Sequence, residues 1–351
     1  MTSGPDGLPL GFSETAQVEI SDAAVMSRRP VVSVQMITYN HKPYISQAIE
    51  GVLAQKTDFP VELVIGEDCS TDGTREVVLE YQRRHPEAVR VITSARNVGM
   101  TENARRAAGA CRGKYLALCE GDDRWIHPRK LQMQVDIMEA DPGVGLVHGG
   151  AVRCDVASGR CHPWKRRPRG YDDGDVFIKL ITGRYFIYTA TACMRMDLFR
   201  AARERNPEVF DGRYLMGDIQ LWLELSRVTR FRLVNEPLAA HNILPESATR
   251  SADVQKEIRF WKSVFEVRMH YVRRYNAGGS TERHVRTTHA RRFLRYAYVA
   301  GDRGLADEAW RALKDLHVPI RPGDLAYYTG ARNGSVRTAI RALRRLRLSL
   351  R

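Results

Sequence analysis

The sequence predicts an α/β protein with a doubly wound, mostly parallel sheet and a C-terminal helical appendage. Two observations support this: a strand, loop and helix unit that recurs along the chain, and an acidic cluster that directly follows an apolar run. The chain has 351 residues, of which 43% are hydrophobic, so it can bury one large domain plus an appendage. Strands that alternate with helices imply parallel pairing with right-handed crossovers.

The recurring unit appears three times before the acidic cluster. Its strand and helix patterns lie at residues 31–38 and 45–53, 61–65 and 77–81, and 89–92 and 101–111. In each unit a short β-branched run gives way to apolar residues at helical spacing. The run Tyr115–Leu118 then predicts a fourth strand of the same sheet. Further on, the polar, Arg- and Gly-rich stretch 153–175 predicts a long loop over the site, and alternation at residues 187–194 predicts a strand.

The acidic cluster Glu120, Asp122 and Asp123 follows this fourth strand. Parallel α/β sheets place ligands at the carboxyl ends of their strands. Adjacent carboxylates repel one another, so water, a basic neighbour or a divalent cation should lie beside them. A metal that also holds phosphate oxygens is one interpretation. The other is a solvated acidic turn before the helix that begins near Pro128.

Polar side chains from the earlier loops should reach the same edge of the sheet. Together with Asp122 they predict a pocket for a base or a ribose, lined by Thr38, Tyr39, Asn40, Glu67, Asp68 and Asn97. Within it, Asp68 is suited to accept a hydrogen bond from a base N–H. The first strand is followed by neither a P-loop nor a G-x-G-x-x-G motif, which disfavours those nucleotide-binding folds.

A second carboxylate of chemical interest is Asp218, which opens the helical pattern at residues 217–225. A carboxylate at a helix start beside the sheet edge can take the proton of an attacking hydroxyl. The alternative is that Asp218 caps the helix, and spacing alone favours that role.

Charge and cysteine content narrow the possible partners and location. Lys and Arg number 55 against 41 Asp and Glu, a balance that suits a phosphate-rich ligand, nucleic acid or an anionic membrane surface. Nucleic acid is not expected, because no recognised reader motif is present. The six cysteines show no metal-ligand spacing and predict reduced thiols in a cytoplasmic protein. No apolar run approaches the ~20 residues of a transmembrane helix.

Several ordered motifs together resemble glycosyltransferase family 2. They lie at residues 32–40, 48–55, 66–74 and 120–123. The resemblance extends over roughly residues 30–250 and implies a GT-A fold. It also implies transfer of a sugar from a nucleotide-diphosphate donor to a hydroxyl acceptor, with inversion at the anomeric carbon.

The resemblance also implies roles for individual residues. Asp68 would read the nucleobase, Asp122 would lie at the ribose and diphosphate, and Asp123 would hold Mn²⁺ or Mg²⁺ together with Asp122. Asp218 matches the catalytic base. His241 falls where relatives have a histidine that serves the diphosphate or the metal, although an ordinary surface histidine is an alternative. Glu120 stands where an Asp is usual and is assigned to donor binding.

The domain organisation predicted from composition has four parts. Residues 1–29 form a disordered leader, 30–252 the catalytic domain, 253–334 a helical appendage and 335–351 a basic amphipathic tail. The tail has an apolar stripe opposite an arginine face, which suits peripheral binding at the inner face of the cell membrane. The alternative is that the stripe packs onto the preceding helices.

The leading functional hypothesis is a metal-dependent, inverting sugar transferase that acts on a lipid-linked or polysaccharide precursor. A sugar-phosphate nucleotidyltransferase is a second hypothesis, but it needs a Gly-rich basic loop directly after the first strand. The segment 39–42 does not supply one. A non-enzymatic protein that binds an anionic polymer is the third and least favoured hypothesis.

Overall fold

The computed structural model describes residues 17–168, 170–171, 175–245 and 253–339. The chain divides into two compact units. The first contains the chain up to residue 176, Tyr185–Gly212 and Gly217–Leu244, and the second contains Phe177–Arg184, Arg213–Met216 and the chain from Pro245 onwards. The main division therefore falls at Leu244, a few residues before the predicted one at residue 252.

One ten-stranded sheet forms the centre of the first unit. Its strands are β1 (Val18–Ile20), β2 (Val32–Thr38), β3 (Val61–Glu67), β4 (Val89–Thr93), β5 (Tyr115–Leu118), β6 (Arg124–Trp125), β7 (Val144–Asp155), β8 (Arg160–His162), β9 (Cys193–Arg195) and β10 (Arg230–Ile243). Their order is β1-β4-β3-β2-β5-β9-β7-β10-β6, with β8 paired to β7. Strands β2, β3, β4, β5, β7 and β10 run in one direction. The predicted mostly parallel α/β sheet is confirmed.

Helices follow three of these strands as the recurring unit predicted, and further helices lie between the other strands. They are α1 (Ala23–Met26), α2 (Ile45–Leu53), α3 (Thr74–Arg84), α4 (Met100–Ala110), α5 (Lys130–Ala140), α6 (Val176–Ile181), α7 (Met196–Arg205) and α8 (Asp218–Leu225). The core of the sheet is made by fully buried apolar residues of β2, β3 and α2, such as Val34, Ile65 and Ile49. Burial of such side chains stabilises each by roughly 1.5–3 kcal/mol.

The second unit is built on four C-terminal helices, as the sequence predicted. They are α9 (Val254–Arg274), α10 (Gly279–Ala300), α11 (Arg303–Asp315) and α12 (Pro322–Arg332). Leu294, Leu305 and Leu313 lie in their shared core. Among the described residues, no helix is both long and apolar enough to cross a membrane. Residues 334–339 are helical, and the rest of the predicted amphipathic tail lies outside the described residues.

Two segments differ from the predicted secondary structure. Residues 17–29 were predicted to belong to a disordered leader, but Val18–Ile20 forms β1, which pairs antiparallel with β4. Residues 1–16 lie outside the described part of the chain. The second segment, 187–194, was predicted as one strand. Instead Thr189–Thr191 forms a short 3-10 helix, and the strand β9 is confined to Cys193–Arg195. Alternation over such short runs does not separate a strand from a turn that packs equally well.

The prediction of six reduced cysteines is wrong for one pair. Cys154 and Cys161 form a disulfide across the β7–β8 hairpin. Their Cα atoms lie 4.0 Å apart because the two residues are opposite each other in the antiparallel register. The segment 153–175 was predicted to be one long loop, but its first part forms this hairpin. Because disulfides are rare in reducing compartments, this pair also removes support from the cytoplasmic location inferred from reduced thiols.

A buried ion network ties β1, β3 and β4 together. The Arg90 guanidinium donates to Glu62 at 3.0 Å and to Glu19 at 2.7 Å, and Arg112 donates to Glu62 at 2.7 Å. Arg90 and Glu62 are nearly inaccessible to solvent. Burial alone would raise the pKa of Glu62, but hydrogen bonds from Arg112 and Ser33 and the charge of Arg90 outweigh it and lower this pKa.

We expect Arg90→Met to reduce the free energy of unfolding by about 3 kcal/mol, because it leaves the buried Glu62 with one cationic partner fewer. Urea denaturation at neutral pH measures this change. Since the network lowers the pKa of Glu62, its contribution is lost as the pH falls through that pKa. The difference between variant and wild type should therefore shrink in acid.

The matched control is Arg83→Met, which removes the exposed pair between Arg83 and Glu80. This control should leave the unfolding curve unchanged. An unchanged curve for Arg90→Met as well would mean that Arg112 alone satisfies Glu62.

Candidate functional site

The short strand β6 brings a carboxylate and an imidazole together. Arg124 in β6 is paired with Ala240 in β10, so the neighbouring residues Asp123 and His241 face each other. His241 Nδ1 lies 3.1 and 3.0 Å from the two carboxylate oxygens of Asp123. Burial opposes protonation of His241, but the hydrogen bond to Asp123 and the charges of Asp123 and Asp122 outweigh it and raise the pKa of His241.

Asn242, the residue after His241, fixes the backbone of the acidic cluster. Its N–H donates to Asp123 Oδ1 at 2.9 Å, and its side-chain amide donates to the Asp122 carbonyl at 2.6 Å. Asp123 is 4% exposed, and two successive residues of β10, His241 and Asn242, contact its carboxylate. The sequence motif 238–242 drew attention to His241 but gave no signal for this role of Asn242.

The carboxylates of the cluster lie close enough to repel one another. Burial raises the pKa of Glu120 well above its usual value, and Asp123, Asp122 and Asp218 add to the shift. Burial also raises the pKa of Asp122, as does Asp123, whereas the nearby His41 and His241 oppose the shift. The structure therefore brings the predicted residues of the acidic cluster and Asp218 into one electrostatic group. Such a group favours the approach of a cation.

Asp68 holds the turn that follows β4. Its two carboxylate oxygens accept hydrogen bonds from the N–H groups of Val98 and Gly99 at 2.7 and 3.0 Å. Asn97 lies in the same turn, is exposed, and accepts from the Gly99 N–H at 3.0 Å. Burial raises the pKa of Asp68 although the two backbone donors oppose the shift. Asp68 and Asn97 are thus neighbours, as predicted.

The predicted donor contact Glu67 is engaged inside the protein. Its carboxylate accepts from Arg75 at 2.7 Å, from Thr93 at 3.0 Å and from the backbone of Ser70 at 2.7 Å. The Glu67 side chain is fully buried. In this arrangement Glu67 positions the loop after β3, and no signal in the sequence distinguished that role from a direct contact with the donor.

The loop after β2 supplies the other predicted contacts. Asn40 has a φ of 54° and its side chain accepts from the Thr71 N–H at 2.9 Å, so it joins the loops after β2 and β3. Tyr39 is 44% exposed. Thr38 Oγ1 and His41 Nδ1 are buried without a hydrogen-bond partner among the described residues.

Both unpartnered atoms of this loop lie against Gly121 of the acidic cluster. A Cβ atom at that position would lie 2.6 Å from Thr38 Oγ1 and 3.1 Å from His41 Nδ1. Only glycine therefore allows the acidic segment to approach the β2 loop so closely. Buried polar atoms that lack a partner within the protein are frequently explained by a ligand or water.

Asp218 is the first residue of α8, and Gly217 occupies the N-cap position that the sequence had offered to Asp218 as an alternative. Its Oδ2 accepts from the Thr189 hydroxyl at 3.1 Å, and its Oδ1 accepts from the Ile219 N–H at 2.8 Å. Burial raises the pKa of Asp218, and the hydrogen bond from Thr189 opposes the shift.

Aromatic side chains that the sequence did not single out surround this region. The Tyr188 ring lies 5.8 Å from the His241 ring and 4.8 Å from the Phe186 ring. Trp164 lies 6.3 Å from Tyr188, and Phe186 is 56% exposed. The feature that identifies these aromatic residues is their position next to the carboxylates. The sequence does not predict that position, because the two sets of residues are far apart along the chain.

The donor set suits a divalent cation only in part. Carboxylate oxygens are ligands that Mn²⁺ and Mg²⁺ prefer, whereas an imidazole suits later transition metals better than Mg²⁺. The repulsion among Glu120, Asp122 and Asp123 would be relieved by such an ion. Within the described residues, however, no three His, Cys, Asp or Glu side chains converge as a metal site. Asp123 and His241 would therefore supply part of a coordination sphere, as in sites completed by substrate phosphates.

Comparison with known proteins supports the predicted family. The sequence model of glycosyl transferase family 2 matches residues 33–200. The putative glycosyltransferase EpsE of Bacillus subtilis is 31% identical over 201 residues, which is 56% of this chain and 67% of EpsE. An uncharacterized protein of Mycobacterium tuberculosis is 44% identical over 111 residues, 32% of each chain. The match thus spans about a third of the length of that relative.

A solved structure shows the same fold. The mannosyltransferase PcManGT from Pyrobaculum calidifontis, in complex with GDP-Man and Mn²⁺, superposes with a TM-score of 0.51 and 18% identity. The similarity covers 89% of this chain and 83% of PcManGT. This likeness confirms the GT-A type of α/β fold. Together with the family match and the identity to EpsE, it leads to one conclusion: the chain belongs to glycosyl transferase family 2.

Proposed function

We propose that the protein is an inverting glycosyltransferase that moves a sugar from a nucleotide-diphosphate-sugar to a hydroxyl group of a carbohydrate acceptor. The observation that carries this proposal is the arrangement at Asp218. This carboxylate has a raised pKa, accepts a hydrogen bond from Thr189, and belongs to the same electrostatic group as Glu120. A carboxylate of this kind is suited to act as a general base near neutral pH.

The donor would bind along the loops that follow β2, β3 and β4. Asp68 would contact the base near the 96–99 turn, and Thr38 and Asp122 would contact the ribose and diphosphate. The unpartnered Thr38 hydroxyl beside Gly121 supports a polar ligand there. Asn97, Tyr39 and Asn40 would complete the walls of this pocket.

Asp123, with Asp122 and His241, would hold a divalent cation. When bound, Mn²⁺ or Mg²⁺ would neutralise the negative charge that develops on the leaving nucleoside diphosphate. Asn242 would orient this group, because it donates hydrogen bonds to the Asp123 carboxylate and to the Asp122 carbonyl.

The transfer proposed here is a single displacement. Asp218 takes the proton of the acceptor hydroxyl while its oxygen forms a bond to the anomeric carbon. The bond from that carbon to the diphosphate oxygen breaks on the opposite face, so the configuration inverts. Thr189 keeps the Asp218 carboxylate in one orientation during this step.

The aromatic residues around Asp218 support a carbohydrate acceptor. Tyr188 directly precedes Thr189, the hydrogen-bond partner of Asp218, and its ring lies near both His241 and Phe186. Flat aromatic faces offer apolar contact to the C–H groups of a sugar ring. A lipid-linked or polysaccharide precursor would present such a ring, and polysaccharide or cell-envelope synthesis would be the corresponding pathway.

The first test of this function is Asp123→Ala, which should abolish donor binding that depends on metal. Thermal shift with GDP-mannose, UDP-GlcNAc and other nucleotide sugars, with and without Mn²⁺, measures the effect. We expect the folded state to survive, because relief of carboxylate repulsion offsets the lost hydrogen bonds. Asp136→Ala, an exposed carboxylate of α5, is the control. Wild-type donor affinity in Asp123→Ala with Mn²⁺ present would refute the metal assignment.

The second test is Asp218→Asn, which retains the shape of the side chain and one acceptor oxygen for the start of α8 but cannot take up the proton. Donor binding should persist, and the rate of transfer should fall by ~10²–10⁴-fold. In the wild-type enzyme the rate should rise with pH through the raised pKa of Asp218, because the base acts in its ionised form. The transfer rate of the variant should show no such rise with pH.

A matched control for Asp218 is available in α7. Asp197 also lies in the first turn of its helix and accepts from the following N–H, that of Leu198, at 2.8 Å. Asp197→Asn should therefore transfer sugar at the wild-type rate. Transfer by Asp218→Asn at that same rate would return Asp218 to a structural role at the start of α8.

We further propose that the C-terminal tail attaches the enzyme to an anionic membrane surface. Beyond residue 339 the tail lies outside the described residues, so its sequence pattern carries this proposal. Each basic group near such a surface contributes on the order of 1 kcal/mol. The full chain should sediment with anionic liposomes at low salt and lose this binding as salt rises. A chain ending at Gly334 should bind the donor but no liposomes, and equal sedimentation of both chains would contradict the proposal.

A further inference from the structure

A cleft lies within the helical unit, outside the site described above. It has a volume of about 700 Å³ and is lined by residues of α9 and α10 and of the segment Arg213–Met216. Four arginines contribute to its walls: Arg213, Arg273, Arg274 and Arg286. Tyr214, Phe265 and Met269 supply its apolar surface.

The cleft carries an excess of positive charge. Among the described residues that line the cleft, Glu266 is the single carboxylate, so these residues have a net charge of +3 when His270 is neutral. Arg286 is paired with Glu282 at 2.7 Å, but both side chains are more than a third exposed, which weakens that pair. Within the described part of the chain, Arg273 makes no ion pair.

The side chains buried between α9 and α10 do not neutralise the excess positive charge of the cleft. Arg268 on α9 lies 3.3 Å from the fully buried His289 on α10. Burial lowers the pKa of His289 to about 3, with further lowering by the charges of Arg268 and Arg292. Residues 253–339 contain 17 Lys and Arg against 9 Asp and Glu. Helices α9 and α10, which line the cleft, contain 11 of these Lys and Arg residues and 3 of these Asp and Glu residues.

We propose that this cleft binds the phosphate or diphosphate group of a small ligand. Guanidinium groups bind phosphate oxygens through paired hydrogen bonds, and several arginines around one concavity are typical of such recognition. The volume matches that of a site for a small molecule or a head group. A flat bilayer surface or a nucleic acid duplex would meet only the rim of a concave site.

This site differs chemically from the proposed donor pocket. The donor pocket is acidic and depends on a cation at Asp123 and His241, whereas the cleft is basic and needs no metal. Phosphate binding in the presence of a chelator would therefore report on the cleft alone. The inference is independent of the transfer chemistry, because it concerns only the residues of the helical unit.

The test is isothermal titration of the full chain with inorganic pyrophosphate at low salt, in the presence of EDTA. We expect saturable binding of one equivalent. Arg273→Gln should weaken it by about tenfold, the equivalent of one charge-assisted hydrogen bond. Glu266→Gln should tighten it, because it removes the lone carboxylate of the lining. Opposite effects of two substitutions on one helix cannot arise from unfolding.

The control is Arg311→Gln, an exposed arginine of α11 outside the cleft. It should bind pyrophosphate like the wild type. Absence of binding, insensitivity to Arg273→Gln, or equal weakening by Arg311→Gln would overturn the proposal, the last because it would indicate a response to net charge alone.

A second titration distinguishes a lipid-linked diphosphate from a free phosphate compound as the ligand of the cleft. Farnesyl diphosphate shares the diphosphate group and adds a hydrocarbon chain. Tighter binding than pyrophosphate, lost in Arg273→Gln, would identify a lipid-linked diphosphate that also contacts Phe265 and Tyr214. Equal affinity of the two probes, with the same loss in Arg273→Gln, would identify a free phosphate compound.

Discussion

The concentration of carboxylates at one edge of the sheet is the constraint on which the candidate site depends. Glu120, Asp122, Asp123 and Asp218 are close enough that burial and mutual repulsion raise the pKa values of Glu120 and Asp122. The protein offsets this cost with polar partners from other elements. His241 and Asn242 hold Asp123, and Thr189 holds Asp218.

The same edge shows a division between polar atoms that have no hydrogen-bond partner among the described residues and residues that shape the loops. Glu67, buried among Arg75, Thr93 and backbone donors, belongs to the second group. Asp68 fixes the backbone at Val98 and Gly99, so its carboxylate sets the form of the turn that follows β4. The atoms Thr38 Oγ1 and His41 Nδ1, which have no partner in the described part of the chain, belong to the first group.

Much of the fold was predictable because its signals are local. Each β-branched run and each apolar stripe from β2 to β5 and from α2 to α4 is contained in about ten residues, and all of these elements occur in the structure. The acidic cluster was also visible, since its carboxylates are adjacent in sequence. Asp218 was found by the same means, as a carboxylate that opens a helical pattern.

What the sequence did not reveal depends on register and on contacts between distant segments. The Cys154–Cys161 disulfide requires the β7–β8 pairing, and β1 requires a partner in β4. The contacts of Asn242 depend on the order of the strands. Those of Thr189 depend on a short 3-10 helix, where the alternating sequence pattern had predicted a strand. The internal role of Glu67 depends on Arg75 reaching back across the start of α3.

The pairing of β6 with β10 has a consequence for the order in which the protein assembles. Asp123 and His241 are separated by 118 positions, and contacts of such separation form slowly because the intervening chain must first be ordered. The family match ends at residue 200, before β10 begins at Arg230. A nascent chain that has completed all of the matched segment therefore still lacks one half of its carboxylate–imidazole pair. The site would become competent only late, when β10 joins the sheet.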